Sequence, residues 1–378
     1  MQFRGHLLYF TQHFDAALAL SSIPFRAGVY QHNIRYMEKN ITILAIETSC
    51  DETAAAVVRD DGFVLSSIVA SQIPLFASLG GVVPEMAARA HTEKIILVIE
   101  EALKAADTDW TSISEIAATQ GPGLVGSLLV GRCTAEAIAL AKQKPLRRVD
   151  HLRAHTLAAE LWDESFHVET GPKIGFPAIA LLVSGGHTEI IWMVDREHWE
   201  VVGSTIDDAA GEAFDKVGKL LGLPYPGGPN VSKAALLGDS MKFAFPRAMM
   251  EKGSLNFSFS GLKTAVLREV RSYNEFHAGE GVESRSQFVN NVAASFQKAV
   301  VDVLVRKTAL AVEQFSRGKF EVQSVILAGG VAANSVLRES MRETFGVRFL
   351  VPSLRYCTDN AAMVGMSAER VGIRGTYV

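Results

Sequence analysis

Apolar and polar residues follow one plan in two separate stretches of the chain, residues 41–69 and 178–204. Each stretch has an apolar strand, a polar turn, a second apolar strand and then a third strand. The first reads ITILAIETSCDETAAAVV and continues with FVLSSIV, and the second reads AIALLVSGGHTEIIWMV and continues with WEVVGS. Such hairpins bring backbone N–H groups and hydroxyls together at the bend, which suits them to hold phosphate oxygens. Because the device occurs twice, it predicts a nucleotide held between two related halves.

Strands and helices alternate after each of these strand trios, in the same order in both halves. The pattern predicts helices over residues 84–106, 124–141, 151–161, 208–221, 287–315, 334–343 and 359–371, and further strands over 115–119, 145–149, 322–328 and 347–351. Strands that alternate with helices predict mixed sheets flanked by helices. Two halves with matching order predict an α/β protein with the duplicated fold of actin, hexokinase and the chaperone ATPases, in which a cleft separates the halves.

The fold is predicted to comprise residues 41–170 as a first domain and 171–378 as a second domain. Residues 1–40 show no clean periodicity and are expected to lie outside the fold. They contain three arginines but only two acidic residues, which is typical of an organelle transit peptide. A start codon assigned too early is the alternative we favour, because Met37 begins a short lead into the first strand.

An insertion at about residues 222–285 interrupts the second domain. Its segment LPYPGGP, residues 223–229, cannot continue a helix, because prolines lack the N–H donor and glycines free the backbone. The later segment FSFSGLK, residues 257–263, alternates and then enters a helix. The insertion is either a connecting strand with a turn or a set of loops that face a substrate in the cleft, and the residues do not decide between the two.

The composition is typical of a globular protein, and the few cysteines indicate a reducing compartment. The chain has 378 residues, 48% of them hydrophobic and 21% charged. Its three cysteines, Cys50, Cys133 and Cys357, are too few for a disulfide framework or a thiolate cluster. No apolar run reaches the roughly 20 residues of a membrane span. The net charge of −4 means that any nucleic-acid contact needs a local basic patch or a partner. We expect a cytoplasmic protein, or a mitochondrial one if residues 1–40 are a transit peptide.

Two histidines in the predicted helix 151–161 form a candidate metal site. His151 and His155 are four residues apart, so both imidazoles lie on one face of the helix. This spacing is common in ordinary structural histidines, so a third ligand is needed. Asp359, at the start of the last helix, could complete a site of two histidines and one carboxylate. It could equally serve the helix itself, because acidic residues favour the first turn.

Three turns carry further candidate residues. VSGGHT, residues 183–188, is either a plain hairpin or a phosphate-binding turn, and AGGVAAN, residues 328–334, ends a strand and opens a helix where N–H groups favour phosphate. Neither matches a P-loop or a dinucleotide fingerprint. Asp51 and Glu52, in the first turn, could orient a cation or a reacting group, although acidic turn residues are common.

These segments together resemble one protein family, the tRNA threonylcarbamoyladenosine synthase catalytic subunits, which were once called sialoglycoprotein endopeptidases. The resemblance covers nearly all of residues 42–372 in order. It rests on ETSCDETA (47–54), GGVVPEMAAR (80–89), GPGLVGSLLVG (121–131), HLRAH (151–155), LLVSGGHTE (181–189), DDAAGEAFDKVGKLLGLPYPGGP (207–229), FSFSGLKT (257–264), AGGVAAN (328–334) and CTDNAAM (357–363).

The resemblance implies an acyltransferase. Members transfer the threonylcarbamoyl group from threonylcarbamoyl-AMP to the exocyclic amine of the adenosine 3′ of the anticodon, in tRNAs that read codons beginning with A. They have the duplicated actin-like fold and hold one divalent metal ion, iron or zinc. Bacterial members work with an inactive paralogue and a small ATPase, whereas mitochondrial members act as homodimers.

The resemblance also implies roles for individual residues. His151, His155 and Asp359 match the metal ligands, and Asp51 and Glu52 match an acidic pair needed for activity. The residues that match the nucleotide contacts are Leu182, Val183, Ser184, Gly185, Gly186, Asp215, Gly228 and Asn334. A basic path for tRNA could include Lys142, Lys144, Arg147 and Arg148. The chain departs from many relatives at Asp150, where they have a histidine, and at Arg153 and Ala154.

Other function classes remain to be weighed against the transferase. A small-molecule kinase on the same fold would use the paired turns for ATP, but it would not need the histidine pair. A nucleotide-sensing module would bind nucleotide with no requirement for His151. A metalloprotease has little support, because neither HExxH nor GxSxG occurs in the chain.

Overall fold

The computed structural model describes residues 41–76, 79, 81–168, 170–250, 253–276, 284–316 and 321–370. The predicted extension, residues 1–40, lies outside these described residues. Within them, no helix combines the length and the apolar character that a membrane crossing requires.

The first sheet is built from the first half of the fold. Its strands are β1 (Thr42–Glu47), β2 (Glu52–Arg59), β3 (Val64–Ser71), β4 (Glu115–Gly121) and β5 (Leu146–Asp150), in the order β3-β2-β1-β4-β5. The neighbours β3, β2 and β1 are antiparallel, whereas β1, β4 and β5 run parallel. The apolar runs of β1 and β2 are buried along most of their length, which explains why both strands lack a polar face.

The second sheet repeats the first, strand for strand. It contains β6 (Ala178–Val183), β7 (Thr188–Met193), β8 (Trp199–Ser204), β9 (Ser324–Ala328) and β10 (Phe349–Leu350), in the order β8-β7-β6-β9-β10. The directions also agree, because β6 is antiparallel to β7 and parallel to β9. The duplicated α/β architecture predicted from the two strand trios is therefore confirmed.

Helices flank both sheets. They are α1 (Ile73–Phe76), α2 (Pro84–Ala105), α3 (Val125–Lys142), α4 (His151–Leu157), α5 (Ala210–Leu221), α6 (Gly227–Ala235), α7 (Ser260–Phe276), α8 (Arg285–Phe315), α9 (Ser335–Phe345) and α10 (Ala361–Arg370). The helix predicted over 151–161 is shorter than expected, because α4 ends at Leu157 and the chain continues as a 3₁₀ turn over Ala158–Glu160.

The insertion contains two helices rather than loops alone. Helix α6 begins at Gly227, within the segment that was predicted not to continue a helix, and α7 begins at Ser260, within the stretch that was predicted to enter one. Proline at position 229 is compatible with α6 because it lies in the first turn, where backbone N–H groups have no partner within the helix. The segment therefore ends one helix and starts another.

The last helix of the chain packs against the first sheet. Helix α10 contacts β1, β2 and α4. Gly365 allows the close approach, since a Cβ there would lie 2.9 Å from the Val58 Cγ2 atom. Residues of β1, β2, β6, β9, α4 and α10 share one apolar cluster. This packing brings the segment before α10 close to α4. The predicted boundary between the two domains, near residue 170, stays a prediction.

Candidate active site

Helix α4 presents the two histidines from its first residues. The Asp150 carboxylate caps the helix by accepting a hydrogen bond of 2.9 Å from the Arg153 backbone N–H. His151 and His155, one turn apart, are both buried, and their ring centroids lie 4.6 Å apart at an interplanar angle of 82°. The predicted placement of both imidazoles on one helix face is thus present in the structure.

Asp359 lies against both imidazoles. Its Oδ1 atom is 3.0 Å from His155 Nε2 and 3.6 Å from His151 Nε2. One ligand atom from each of the three residues lies within 4.8 Å of the others. The alternative of Asp359 as a helix cap is not what the structure contains, because Asn360 Oδ1 accepts the 3.0 Å hydrogen bond from the Met363 N–H. Asp359 is therefore left to face the histidines.

A buried carboxylate behind His151 orients its ring. Glu47, the last residue of β1, is fully buried, and its Oε2 atom lies 3.2 Å from His151 Nδ1 and 2.5 Å from Thr119 Oγ1. Its other oxygen accepts from the Ser49 backbone N–H. A hydrogen bond at Nδ1 directs Nε2 towards Asp359, as the outer partners of metal-binding histidines do. Glu47 is not among the residues predicted for the site; the only signal is an acidic residue that ends an apolar strand.

The charges of this cluster shift the pKa of His151, Glu47 and Asp359. Burial alone lowers the pKa of His151, but the Glu47 and Asp359 carboxylates outweigh it and raise that pKa to about 9. Burial opposes ionisation of Asp359 and of Glu47, yet the neighbouring imidazoles hold the pKa of both carboxyls below their ordinary values. Two anionic carboxylates with two imidazoles form an environment that favours a cation.

The donor set fits a divalent transition metal. Two imidazole nitrogens and one carboxylate oxygen form a three-ligand set. Such sets leave coordination positions open, as in non-haem iron and catalytic zinc sites. The three residues therefore fit a metal ion that keeps open coordination positions.

The acidic pair lies in the turn between β1 and β2. Glu52 Oε1 accepts a 2.9 Å hydrogen bond from Ser71 Oγ, and its buried Oε2 has no hydrogen-bond partner among the described residues. Burial, together with the charges of Asp51 and Asp359, raises the pKa of Glu52 to about 7. Burial likewise raises the pKa of Asp51, with a contribution from Asp359. Asp359 therefore influences the pKa of both acidic residues as well as that of His151.

Comparison with known proteins identifies the family. Residues 63–366 match the model of the family described as TsaD, tRNA N6-adenosine threonylcarbamoyltransferase. The chain is 47% identical to a protein of that name from Bacillus licheniformis, covering 90% of this chain and 95% of the relative. It is 49% identical to one from Caldicellulosiruptor saccharolyticus, covering 88% and 94%. This chain belongs to the tRNA N6-adenosine threonylcarbamoyltransferase family. It is thereby a member of a family of transferases that act on tRNA, as predicted.

A solved structure agrees with the fold of this family member. The crystal structure of HypF from T. kodakarensis is similar over 86% of this chain and 46% of that chain, with a TM-score of 0.50 and 15% identity. At this identity the similarity concerns the fold alone. The predicted actin-like class is confirmed by this likeness and by the repeated sheet order.

Open space marks the glycine turns predicted to meet the nucleotide. A Cβ built on Gly185, Gly186 or Gly228 of this family member would meet no atom within 4 Å. The Asp215 carboxylate accepts hydrogen bonds of 2.8 Å from the Gly227 N–H and 3.3 Å from the Gly228 N–H. The turn after β6 and the start of α6 therefore border free volume.

The remaining predicted nucleotide residues have structural partners. Asn334 caps α9 and donates through Nδ2 to Ser232 Oγ at 2.9 Å and to Gln297 Oε1 at 2.7 Å. The side chains of Leu182 and Val183 are fully buried in apolar clusters, so only their backbone can reach a ligand. Ser184 Oγ accepts from the N–H groups of its own turn. Their contact with a nucleotide stays a prediction.

The loop before α6 lies near the acidic pair. Burial and the charges of Asp215, Asp51 and Glu52 raise the pKa of the Tyr225 phenol to about 12. This electrostatic proximity favours the hypothesis that the insertion faces the site over that of a plain connection.

The basic path suggested for tRNA is partly occupied by ion pairs. Arg147 Nε lies 2.7 Å from Glu115 Oε2, and Arg148 Nη2 lies 3.1 Å from Glu136 Oε1. Both partners reduce the charge available to a phosphate backbone. The contact of these basic residues with tRNA stays a prediction.

Proposed function

We propose that the chain transfers the threonylcarbamoyl group from threonylcarbamoyl-AMP to the exocyclic amine of the adenosine 3′ of the anticodon in tRNAs that read codons beginning with A. The observation that carries this proposal is the cluster of His151, His155 and Asp359 beside the acidic turn of Asp51 and Glu52. A kinase or nucleotide sensor would have no use for such a cluster, and membership of the transferase family supports the same choice.

The reaction is an acyl transfer. The amine nitrogen forms a bond to the carbamoyl carbonyl carbon, the bond from that carbon to the phosphate oxygen breaks, and AMP leaves with the electron pair. One proton departs from the attacking nitrogen. The chain must therefore hold the adenylate, orient the carbonyl and accept a proton.

His151, His155 and Asp359 would hold one iron or zinc ion. When bound, such an ion acts as a Lewis acid towards the substrate carbonyl. Glu47 keeps the His151 ring oriented through its 3.2 Å contact with Nδ1. Because Glu47 is buried, Asp359 is half-buried and both are anionic, they also stabilise positive charge in the site.

Glu52 is proposed as the group that accepts the proton from the amine. A general base works best when its pKa lies near the operating pH, and the pKa of Glu52 is raised to about 7. Its Oε2 atom has no partner among the described residues, whereas Oε1 is fixed by Ser71. Asp51, the neighbouring carboxylate, keeps the pKa of Glu52 high and the local field negative.

The nucleotide is proposed to lie against the glycine turns. Gly185, Gly186 and Gly228 leave room for the adenylate, and the backbone of Leu182, Val183 and Ser184 borders it. Asp215 and Asn334 would meet the sugar or base. Asp215 already holds the first N–H groups of α6, so ligand binding and the position of this helix are coupled.

The partners and location proposed here follow the bacterial type. The relatives described above are bacterial, which supports an inactive paralogue subunit and a small ATPase as partners in the cytoplasm. A mitochondrial homodimer is the alternative. In either case the tRNA would be bound by the whole assembly, since this chain carries a net charge of −4 and is not itself strongly basic.

The test is formation of threonylcarbamoyladenosine. The purified chain is incubated with threonylcarbamoyl-AMP and unmodified tRNA, with and without candidate partner proteins, and the digested tRNA is analysed by mass spectrometry. We expect product with the wild type, and a loss of at least about 10³-fold in His151→Ala and Asp359→Ala together with loss of bound metal. The control is His198→Gln, because His198 lies in an exposed turn.

Two results would contradict the proposal. Absence of product under every combination, with phosphorylation of a small molecule from ATP instead, would favour the kinase. Full activity of the His151→Ala variant with bound metal retained would remove the histidine cluster from the mechanism.

A further inference from the structure

The turn between β1 and β2 is held in place through its backbone carbonyls. The Ser49 carbonyl accepts a 2.7 Å hydrogen bond from the Leu124 N–H, and the Asp51 carbonyl accepts one of 3.0 Å from the Gln72 N–H. The Cys50 carbonyl accepts twice, from His91 Nε2 at 3.0 Å and from Ser127 Oγ at 3.3 Å. Groups from α2, α3 and the end of β3 therefore surround the segment that carries the acidic pair.

His91, on α2, makes the shorter of the two side-chain hydrogen bonds to the Cys50 carbonyl. It is fully buried. A carbonyl oxygen can only accept, so Nε2 carries the proton in its contact with Cys50. Nδ1 is the acceptor, because it lies 3.3 Å from the Gln72 Nε2 amide group, which can only donate. Thr53 Oγ1 donates to the same Nδ1 at 2.8 Å, the shorter of these two contacts that select the tautomer, and burial lowers the pKa of the ring.

We infer that His91 is a positioning residue for the transfer reaction: its imidazole, aligned by Thr53, holds the Cys50 carbonyl and so sets the positions of Asp51 and Glu52. The inference rests on the proposed function, in which this acidic pair acts on the substrate. Cys50 directly precedes Asp51, so a shift of its carbonyl rotates the peptide plane that carries the acidic residues.

The arrangement has a direct consequence for the reaction. Misplacement of a catalytic group by about 1 Å can lower a rate roughly 100-fold. His91 is fully buried, so its loss changes the position of the acids without removing a substrate contact. The expected effect is a lower kcat at nearly constant KM for both substrates.

The three cysteines provide a test that does not depend on the activity. Cys133 is exposed, Cys357 is fully buried, and Cys50 is partly exposed within the turn itself. Burial and the Asp51 carboxylate raise the pKa of the Cys50 thiol, so it reacts slowly while the turn is in place. Alkylation by N-ethylmaleimide, followed for each cysteine by peptide mass spectrometry, therefore reports turn opening at Cys50 and global unfolding at Cys357.

We expect the His91→Leu variant to accelerate alkylation of Cys50 about tenfold, with Cys133 and Cys357 unchanged. His91→Gln keeps an N–H donor near the Nε2 position and should stay close to wild type. Thr53→Val removes the hydroxyl that selects the tautomer and should give an intermediate rate. An unchanged Cys50 rate in His91→Leu would overturn the inference, as would a parallel increase at Cys357, which would make His91 a packing residue of the whole fold.

Kinetics then connect the turn to the reaction. His91→Leu should lower kcat about 100-fold, His91→Gln about tenfold or less, and the double variant His91→Gln, Thr53→Val no further than His91→Gln alone. Bound metal should be unchanged throughout, and His198→Gln is the control. Unchanged kcat in His91→Leu, in an active wild type, would overturn the inference. Absence of product in the wild type would overturn the proposed function instead, while the alkylation rates would still decide whether His91 holds the turn.

Discussion

The two halves of the molecule carry the same hairpin at the centre of their sheets, but the two turns are stabilised differently. Residues 48–53 lie between the last paired positions of the first hairpin, and residues 184–187 between those of the second. Side chains and N–H groups from α2 and α3, including His91, hold the first turn. The second is closed by its own backbone, because the Ser184 N–H donates to the His187 carbonyl at 2.8 Å, and α5 adds the Gly211 N–H, which donates to the Ser184 carbonyl at 3.2 Å.

This difference suits the two turns to different functions. A turn held from outside can keep charged side chains at fixed positions although their burial is unfavourable, and here it carries Asp51 and Glu52. The second turn carries Ser184 and His187 at its ends, but its two central residues, Gly185 and Gly186, have no side chains and leave open space. The first turn therefore suits chemistry, and the second suits binding of a nucleotide through backbone and free volume.

The largest effect is expected from removing the acid of the first turn. We expect Glu52→Gln to lower kcat about 10²- to 10⁴-fold, because Gln cannot accept the proton from the amine. In the wild type, kcat should rise with pH to a plateau above about 7, the pKa of Glu52, since the base must be ionised. Steady-state rates of threonylcarbamoyladenosine formation at a series of pH values measure both.

Glu189 in the second hairpin provides the matched control. Burial also raises its pKa, and its buried Oε2 likewise has no partner among the described residues. Glu189→Gln should leave kcat within about threefold of wild type, which corresponds to a change of under about 1 kcal/mol in the activation free energy. Equal losses in the two variants would show that the hairpins do not differ as described.

A smaller effect is expected from a methyl group placed against the first turn. A Cβ on Gly123 would lie 2.6 Å from the Ser49 carbonyl oxygen, which accepts the Leu124 N–H. Gly123→Ala should therefore destabilise the protein by about 1–3 kcal/mol, as overpacking does, and should accelerate Cys50 alkylation. Urea unfolding measures the stability, and an unchanged midpoint would contradict the close contact.

The same substitution in the second turn is the comparison. Gly185→Ala places its Cβ in open space, so stability should change by less than about 0.5 kcal/mol. If that space holds the adenylate, KM for threonylcarbamoyl-AMP should rise about tenfold, the equivalent of roughly 1.4 kcal/mol of lost binding, with kcat retained. An unchanged KM would move the nucleotide away from this turn.

Much of the fold could be predicted because its patterns are local. The two strand trios were recognisable from apolar runs broken by polar turns, and the repeated order followed from them. The start of α6 was not recognisable, because Pro226 and Pro229 suggest a loop unless the first turn of a helix happens to lie there. A helix start and a proline-rich loop share the same residues, and only tertiary packing distinguishes them.

The site was predictable where spacing along one helix defines it, and not where distant segments meet. His151 and His155 follow from the four-residue interval, whereas the residues alone left Asp359 open between a third ligand and a helix-terminal acid, and the resemblance to a family favoured the ligand. Glu47 and His91 had no such signal, because Glu47 only ends an apolar strand and His91 lies among other polar residues of a helix. Their roles depend on contacts across 104 and 41 residues of chain, which no local pattern encodes.

The smallest effect is expected in the pH dependence of stability, and it has a definite sign. The pKa of Glu52 is about 7 in the folded protein against an ordinary value of 4.5, so between these pH values the folded state binds more protons than the unfolded chain. Stability must then decrease as the pH rises through this window. With solvent screening, the contribution of Glu52 should be about 1–2 kcal/mol.

Glu52→Gln isolates this contribution, because the variant keeps every other titrating group. The difference in unfolding free energy between variant and wild type should be small below pH 4.5, grow in favour of the variant up to pH 7 and stay constant above it. Urea unfolding at several pH values measures it. A difference that does not change with pH would mean that the first turn does not hold Glu52 in a buried state, and the contrast between a clamped acidic turn and an open glycine turn would fail at its central residue.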